Sequence, residues 1–449
     1  MSARAPLGPW LAAIEATDDL VLTGRLGATV GTALQARVPG CRTGDLVEIQ
    51  RSAAAGGPLL AEVVGFDGAT TWLSPLADPA GLAPGDPIRP TGAPLSIVAG
   101  PEVLGRVLDG LGRPIDGGPP LSGPAAWPVD RSPPDPVTRP RLVRPLAVGI
   151  RAIDGPCTLA EGQRVGLFAA AGVGKSTLLG QIARQADADV FVVCLVGERG
   201  RELREFLDDA LGEAGRARGV VVCATSDAPA RVRMRSVAVA TALAEWFRDR
   251  AGKRVLLLVD SLTRYARAAR EVGLAVGEPP ARRGYPPSVF AGLPPLLERA
   301  GTAAPGGSVT GIYTVLVEGD DHDEPVADEL RGLLDGHVVL RRHLAERGHF
   351  PAIDVPASLS RSMPAVTTER HRSAAGHLRT LLSTYESQRD LVLLGAYRRG
   401  SDPRLDRAMD RMPEIEAFLR QGVQEHAPLP ETLSALDRAV GAAKDGVHR

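Results

Sequence analysis

RVGLFAAAGVGKST, residues 164–177, is an apolar run of strand length leading into a glycine-rich loop and the start of a helical segment. Gly172 and Gly174 permit backbone conformations that turn successive N–H groups inward as an anion cradle. A helix starting near Lys175 aims its positive end at the same place. Lys175 is a compact charge on a flexible stem that reaches terminal phosphates, a path too narrow for arginine's planar fork. Ser176 offers a hydroxyl to Mg²⁺. Ala169 stands where the usual pattern has its first glycine. A plain glycine turn is the competing reading, but the strand before, the helix after and the GKS triplet together favour a phosphate loop spanning Ala170, Ala171, Gly172, Val173, Gly174, Lys175, Ser176 and Thr177. The ligands expected are ATP and Mg²⁺. Of 52 basic residues only Lys175, Lys253 and Lys444 are lysine. Coding bias accounts for the skew, and Lys175 stands out against it.

Outward from this loop, apolar runs recur at 190–196, 220–224, 255–259 and 309–317, alternating with segments that can be helices at 175–186, 201–214 and 231–250. Continuously apolar strands separated by helices predict a parallel sheet covered on both faces. Upstream, VLTGRL, TALQARV, DLVEIQ, LLAEVVGF and TTWLSPL between residues 20 and 92 read as the short strands of a small antiparallel barrel. Residues 112–146 are proline-rich and read as an extended connector. After about 365 the strands stop. Leu405, Met409, Met412, Ile415 and Leu419 recur at helical spacing, with Pro413 able to open a new helix at its first turn. The expected division is 1–95 (barrel with a short leader), 96–365 (α/β ATPase domain) and 366–449 (helical domain).

In a parallel sheet, ligands bind outside the carboxyl ends of the strands. Glu198, Asp260 and Glu318 fall at such ends. Asp260 suits the magnesium-side carboxylate of a phosphate-loop ATPase, and equally the N-cap of the helix SLTRYARAAR; the two roles are compatible. Glu198 is placed to orient or deprotonate an attacking water, or is a surface loop acid. The acidic run 318–324 reads as a solvated loop. Arg199 and Arg264 lie just past strand ends of the site, and Arg361 lies near the end of the α/β segment.

Composition narrows the function class. A length of 449 residues suggests roughly two to four domains. A net charge of −1 argues against a protein living mainly on nucleic acid. The four cysteines lack metal-ligand spacing and predict neither disulfides nor zinc. No secretory signal and no run of ~18 apolar residues is present, so a soluble cytoplasmic protein is expected. Leu7, Trp10, Leu11 and Ile14 offer a short apolar face or lie in a disordered tail.

Longer stretches carry a family resemblance: VLGRVLDGLGRPIDG (103–117), RPLAVGIRAIDG (144–155), VGERGRE (196–202), VDSLTRYARAAREVGLAVGEPPARRGYPPSVFAGLPPLLERAG (259–301) and GHFPAIDVPASLSRSM (348–363). They resemble the rotary-type ATPases, and more narrowly the ATPases of type III protein secretion, from about residue 20 to about 425. The resemblance implies an N-terminal barrel, a RecA-like ATPase core and a C-terminal helical domain. It also implies residue roles: Lys175 and Ser176 in the phosphate loop, Glu198 as catalytic glutamate, Asp260 on the magnesium side, Arg199 and Arg264 near the γ-phosphate. Arg361 matches a finger reaching a neighbouring subunit's nucleotide, and Phe350 an aromatic against adenine. Glutamate and finger lie in one chain here, so a homo-hexamer would complete a site at every interface.

The implied partners are the central stalk and peripheral stator of the secretion apparatus, export cargo and its chaperones, and an inner-membrane export gate. GDDHDEPVADELRGLLDGH (319–337) resembles the injectisome pattern more than the flagellar one. Alternatives are a flagellar export ATPase, an ATP synthase catalytic subunit, a hexameric RNA translocase and a nucleotide-binding regulator without turnover. The translocase would need a basic, aromatic barrel, whereas residues 20–92 hold only Phe66 and Trp72 as aromatics, so no nucleic-acid partner is expected.

Overall fold

The computed structural model describes residues 23–51, 56–123, 126–304, 306–317 and 324–441. Leu7, Trp10, Leu11, Ile14, Glu318 and most of the acidic run lie outside them. The chain forms two compact units, residues 1–95 with 275–277, and 96–274 with 278–449.

The described part of the first unit is a closed barrel of β1 (Gly24–Val30), β2 (Ala33–Arg37), β3 (Asp45–Ile49), β4 (Leu59–Asp67), β5 (Thr70–Pro75) and β6 (Pro87–Pro94), in the order β1-β2-β5-β4-β3-β6. Closure comes from β6, which pairs with β1 through Gly24 and Ile88 and with β3 through Ile49 and Ile88. Leu34, Val47, Ile49, Leu59, Val63, Leu73 and Ile88 fill the interior. The alternation of the sequence marked five of these strands and missed β6. Pro87, Pro90 and Pro94 deprive β6 of ladder donors, which argues against a strand. A register shift between Asp45 and Val47 accommodates it.

The second unit is built on a sheet ordered β14-β13-β8-β12-β11-β9-β10-β7: β7 (Val107–Asp109), β8 (Arg164–Ala169), β9 (Val190–Glu198), β10 (Gly219–Thr225), β11 (Arg254–Asp260), β12 (Ser308–Leu316), β13 (Gly336–Leu340) and β14 (Leu359–Ser360). Pairings from β7 to β13 are parallel; β14 runs antiparallel to β13. Every residue of β9 is buried, as a strand covered on both faces requires. The phosphate-loop helix is α1 (Lys175–Gln185), followed by α2 (Ala230–Asp249) and α3 (Leu262–Ala275). This is a RecA-like α/β core with a small barrel before it and helices after it.

Two helical expectations need correction. Residues 201–214 are not one α-helix: Gly200–Glu205 is α-helical, Phe206–Leu211 is π-helical, and Gly212 turns with φ 65° before a last α segment. Pro413 does not open a helix. It sits inside α5 (Pro403–Leu419), which Asp402 caps by accepting from the Arg404 N–H at 2.8 Å. The apolar face running from Leu405 to Leu419 holds the helix through the proline.

The C-terminal helices α4 (Glu369–Leu393), α5 and α6 (Leu429–Val440) contribute Leu378, Leu382, Ile415, Phe418 and Leu436 to the core that also contains Leu178, Leu179 and Ile182 of α1. Among the described residues no helix is long and apolar enough to cross a membrane.

Below the sheet, Arg299 grips Glu245 with two hydrogen bonds, Nε to Oε1 at 2.9 Å and Nη2 to Oε2 at 2.6 Å, and both residues are buried. Removing one partner strands a buried charge. Glu245→Ala is therefore expected to destabilise the chain by about 3–5 kcal/mol. Glu245→Met combined with Arg299→Met should recover most of that loss. Chemical denaturation of the single and double variants measures both.

Candidate active site

The register of the sheet assembles the site. β8 delivers the phosphate loop, β11 delivers Asp260 and β9 delivers Glu198, all at the carboxyl ends of parallel strands. β8 and β11 are not neighbours; β12 runs between them. Lys175 bridges that gap, its Nζ pairing with Asp260 Oδ1. Both side chains are largely buried.

The loop has the shape an anion needs. Gly172 and Gly174 adopt φ 79° and 91°, the left-handed region that glycine enters freely. Gly174 precedes α1 without any side-chain cap, so the first N–H groups of the helix are available to a ligand. Ala170 and Val173 are buried and anchor the loop, while Ala171, Gly172, Ser176 and Thr177 are exposed. Ser176, Thr177, Glu198, Glu202 and Asp260 line a cavity of about 350 Å³. A glycine cradle, a free helix N-terminus, a lysine, a hydroxyl and a carboxylate form a donor set that fits a nucleotide phosphate with a hard divalent cation.

Glu198 ends β9 nearly buried and pairs with Arg264 Nη2 at 3.0 Å. Arg264 also donates through Nη1 to the Gly197 carbonyl. Burial raises the proton affinity of Glu198 above the ordinary carboxylate range, helped by a hydrogen bond with Glu202 and by the charge of Asp260, and opposed by Arg264 and Lys175. Glu202 shifts the other way, chiefly through its hydrogen bond with Glu198. The N-cap role open to Asp260 is not used. Ser261 Oγ accepts from the Arg264 N–H at 3.3 Å, while Asp260 is turned into the cavity.

The remaining candidates are placed differently. Arg199 is exposed beyond β9, where its carbonyl starts the next helical turn. Phe350, 47% exposed, stands over Gly174 and lines a separate cavity of about 200 Å³ with Val173, Thr177, Gln421 and Val423. Arg361 does not join the other residues. It is exposed, and its N–H donates to Asp335 O just before β13 begins. The phosphate loop lies at the opposite end of the parallel strands, beyond the full length of β13, whose five residues alone span about 13 Å at a rise of roughly 3.3 Å per residue.

Three contributors escaped the sequence reading. Thr314 of β12 donates to Asp260 Oδ1 at 2.7 Å. A hydroxyl inside the run VTGIYTVLV, level with Asp260, was the available signal. Gln421 and Val423 arrive from the loop after α5. That loop is bound to α1 by Gln181 Nε2 to Gly422 O (3.1 Å), Arg184 Nη2 to Val423 O (3.1 Å) and Gln185 Nε2 to Glu425 O (2.9 Å). Acceptors of this kind leave no mark on side-chain pattern.

Comparison with known proteins agrees with this architecture. Residues 149–360 match the nucleotide-binding domain of the ATP synthase alpha/beta family, and residues 367–438 match the C-terminal domain of the type III secretion ATPase EscN. The chain is 52% identical over 425 residues to a type 3 secretion system ATPase of Pseudomonas syringae pv. tomato, covering 93% of each chain. It is 46% identical over 428 residues to the flagellum-specific ATP synthase of Bacillus subtilis, covering 95% of this chain and 97% of the relative. The assembled ATPase EscN of the enteropathogenic E. coli type III secretion system superposes with a TM-score of 0.88 at 44% identity, over 93% of this chain and all of that one. EscN has also been solved in complex with its central stalk EscO. The chain is an ATPase of the type III secretion family, which spans injectisome and flagellar export ATPases and is related to the catalytic subunit of ATP synthase.

Proposed function

We propose that this ATPase works as a homo-hexamer at the cytoplasmic base of an injectisome, where hydrolysis releases exported proteins from their chaperones and unfolds them. The observation that carries the catalytic part is the convergence of Lys175, Asp260, Glu198 and Arg264 on one rim beside the Gly172–Gly174 cradle. Residues 170–177 hold the phosphates. Lys175 leaves Asp260 for the terminal phosphates and offsets the charge that develops there. Ser176 and Asp260 would hold magnesium, which when bound would supply neutralisation of the phosphate charge. Glu198 orients the attacking water and takes its proton; its raised proton affinity suits that task, and Arg264 fixes its direction. Phe350 takes adenine on its exposed face, and Arg199 stands ready near the γ-phosphate.

Arg361 supplies the oligomeric part. An exposed arginine beside the edge strand β14, at the end of the strands opposite the phosphate loop, serves no phosphate in its own chain, and serves a neighbour's if the subunits close into a ring. A central stalk, as found with EscN, a peripheral stator, and attachment to an inner-membrane export gate complete the assembly. In the division into 1–95, 96–365 and 366–449, both hydrolysis and the Arg361 contribution to a neighbour fall in the middle segment. The flagellar reading stays open beside this one, because flagellar relatives match over the same span. Restoring effector secretion, or swimming, to strains lacking the corresponding ATPase decides between them.

Lys175→Ala should lower ATP turnover by at least about 10²-fold in a phosphate-release assay, since it removes a preorganised charge from the transition state. Glu198→Gln should keep nucleotide affinity and lose about 10²–10⁴-fold in turnover; binding measured by a fluorescent nucleotide separates the two effects. Arg361→Ala should assemble and lose roughly 10³-fold. Specific activity of the unmodified chain should fall on dilution to monomers, and a constant value would refute the shared site.

A further inference from the structure

The Lys175–Asp260 pair raises the question of what holds Asp260 once Lys175 moves to a phosphate. Asp260 Oδ1 accepts from two protein groups, Lys175 Nζ and Thr314 Oγ1, the latter at 2.7 Å. Among the described residues Oδ2 has no protein donor, while the residue lines the cavity. Thr314 is fully buried on β12, the strand lying between the phosphate-loop strand and the Asp260 strand. The end of β12 is itself clamped to α3: the Leu316 N–H donates to Thr263 Oγ1 at 2.9 Å. Thr314 therefore projects from a fixed backbone.

We infer that Thr314 is a positioning residue for the metal-side carboxylate: its hydroxyl holds Oδ1 so that Oδ2 stays directed at the metal or a metal-bound water after Lys175 has left. The inference rests on the reading of Asp260 as the magnesium-side group. A nearly buried carboxylate that loses its cation without a second donor is poorly solvated and free to rotate, and both effects weaken its hold on a hard cation. Threonine suits the position because its β-branched stem fits a buried strand while its hydroxyl needs only one acceptor.

The test is a titration of the intact chain with a fluorescent ATP analogue, once with Mg²⁺ and once with EDTA. The unmodified chain should bind more tightly with Mg²⁺. Thr314→Val should leave the metal-free affinity within about twofold and cut the Mg²⁺-dependent gain roughly tenfold, the size expected for losing a hydrogen bond to a charged group. Thr314→Ser should restore the gain, which a purely space-filling role would not produce. If Thr314→Val fails to fold by circular dichroism, Thr314→Cys, similar in size but a weak donor, takes its place. A full Mg²⁺-dependent gain in the valine or cysteine variant overturns the role of Thr314. No gain in the unmodified chain overturns the metal-side reading of Asp260 itself, a different result.

Discussion

The contact on which the site depends is an ion pair that spans a strand. Lys175 follows β8, Asp260 ends β11, and β12 lies between them. Such a bridge depends on the parallel register: Ala169 lies opposite Leu316 and Val259 opposite Tyr313, so β8 and β12 end together two residues beyond the level of Asp260, close enough for the lysine stem to span β12. Backbone ladders are far stiffer than long side chains, and they hold the loop, the carboxylate and the Thr314 hydroxyl in place together. Lys175 and Asp260, both largely buried, neutralise each other across β12.

Arginine dominates the opposite end of the sheet. Arg164 reaches Asp335 at 3.0 Å and also pairs with Glu298; Arg254 touches Asp187, Asp189 and Glu161 between 3.0 and 3.3 Å. A planar fork with five donors can tie several carboxylates at once, which a lysine ammonium does less well. Whatever coding bias favours arginine, Arg164 and Arg254 tie carboxylates together where β8 and β11 begin, while at the other end of the strands Lys175 reaches Asp260 beside the Arg264–Glu198 pair. The exposed pairs add little stability singly; the buried Arg299–Glu245 pair is another matter.

Much of this was legible because it followed from period and punctuation. Continuous apolar strands, a loop containing GVGKS and acids at strand ends locate Lys175, Glu198 and Asp260 before any coordinate is known. What stayed hidden depends on pairing in space. β6 is disguised by its prolines, and its strand character comes only from the partners on either side. Pro413 reads as a helix start, yet the apolar face of α5 overrides it. Thr314 looks like one polar residue in an apolar run until the register sets it beside Asp260. The stretches that carried the family resemblance include residues whose work is structural. In VLGRVLDGLGRPIDG, Arg106 clasps Asp116 through two hydrogen bonds at 2.7 and 2.8 Å, and Asp109 takes the Arg113 guanidinium at 2.7 Å. In RPLAVGIRAIDG, buried Asp154 accepts the N–H groups of Val148 and Gly149.

The loop from Gly422 to Glu425 is fastened to the phosphate-loop helix through main-chain oxygens alone: Gln181, Arg184 and Gln185 supply the side chains, and the loop supplies carbonyls. Every residue type carries the same carbonyl. Exchanges at Val423 or Gln424 therefore leave the three acceptors intact, whereas exchanges on α1 remove donors outright. The consequence is an evolutionary asymmetry across one interface. Toward α1 the helix side is bound to its residue identities, while on the loop side Val423 and Gln424 can vary without removing an acceptor; the identities that the loop does need, Gln421 and Glu425, face Gly149 and Arg151 instead.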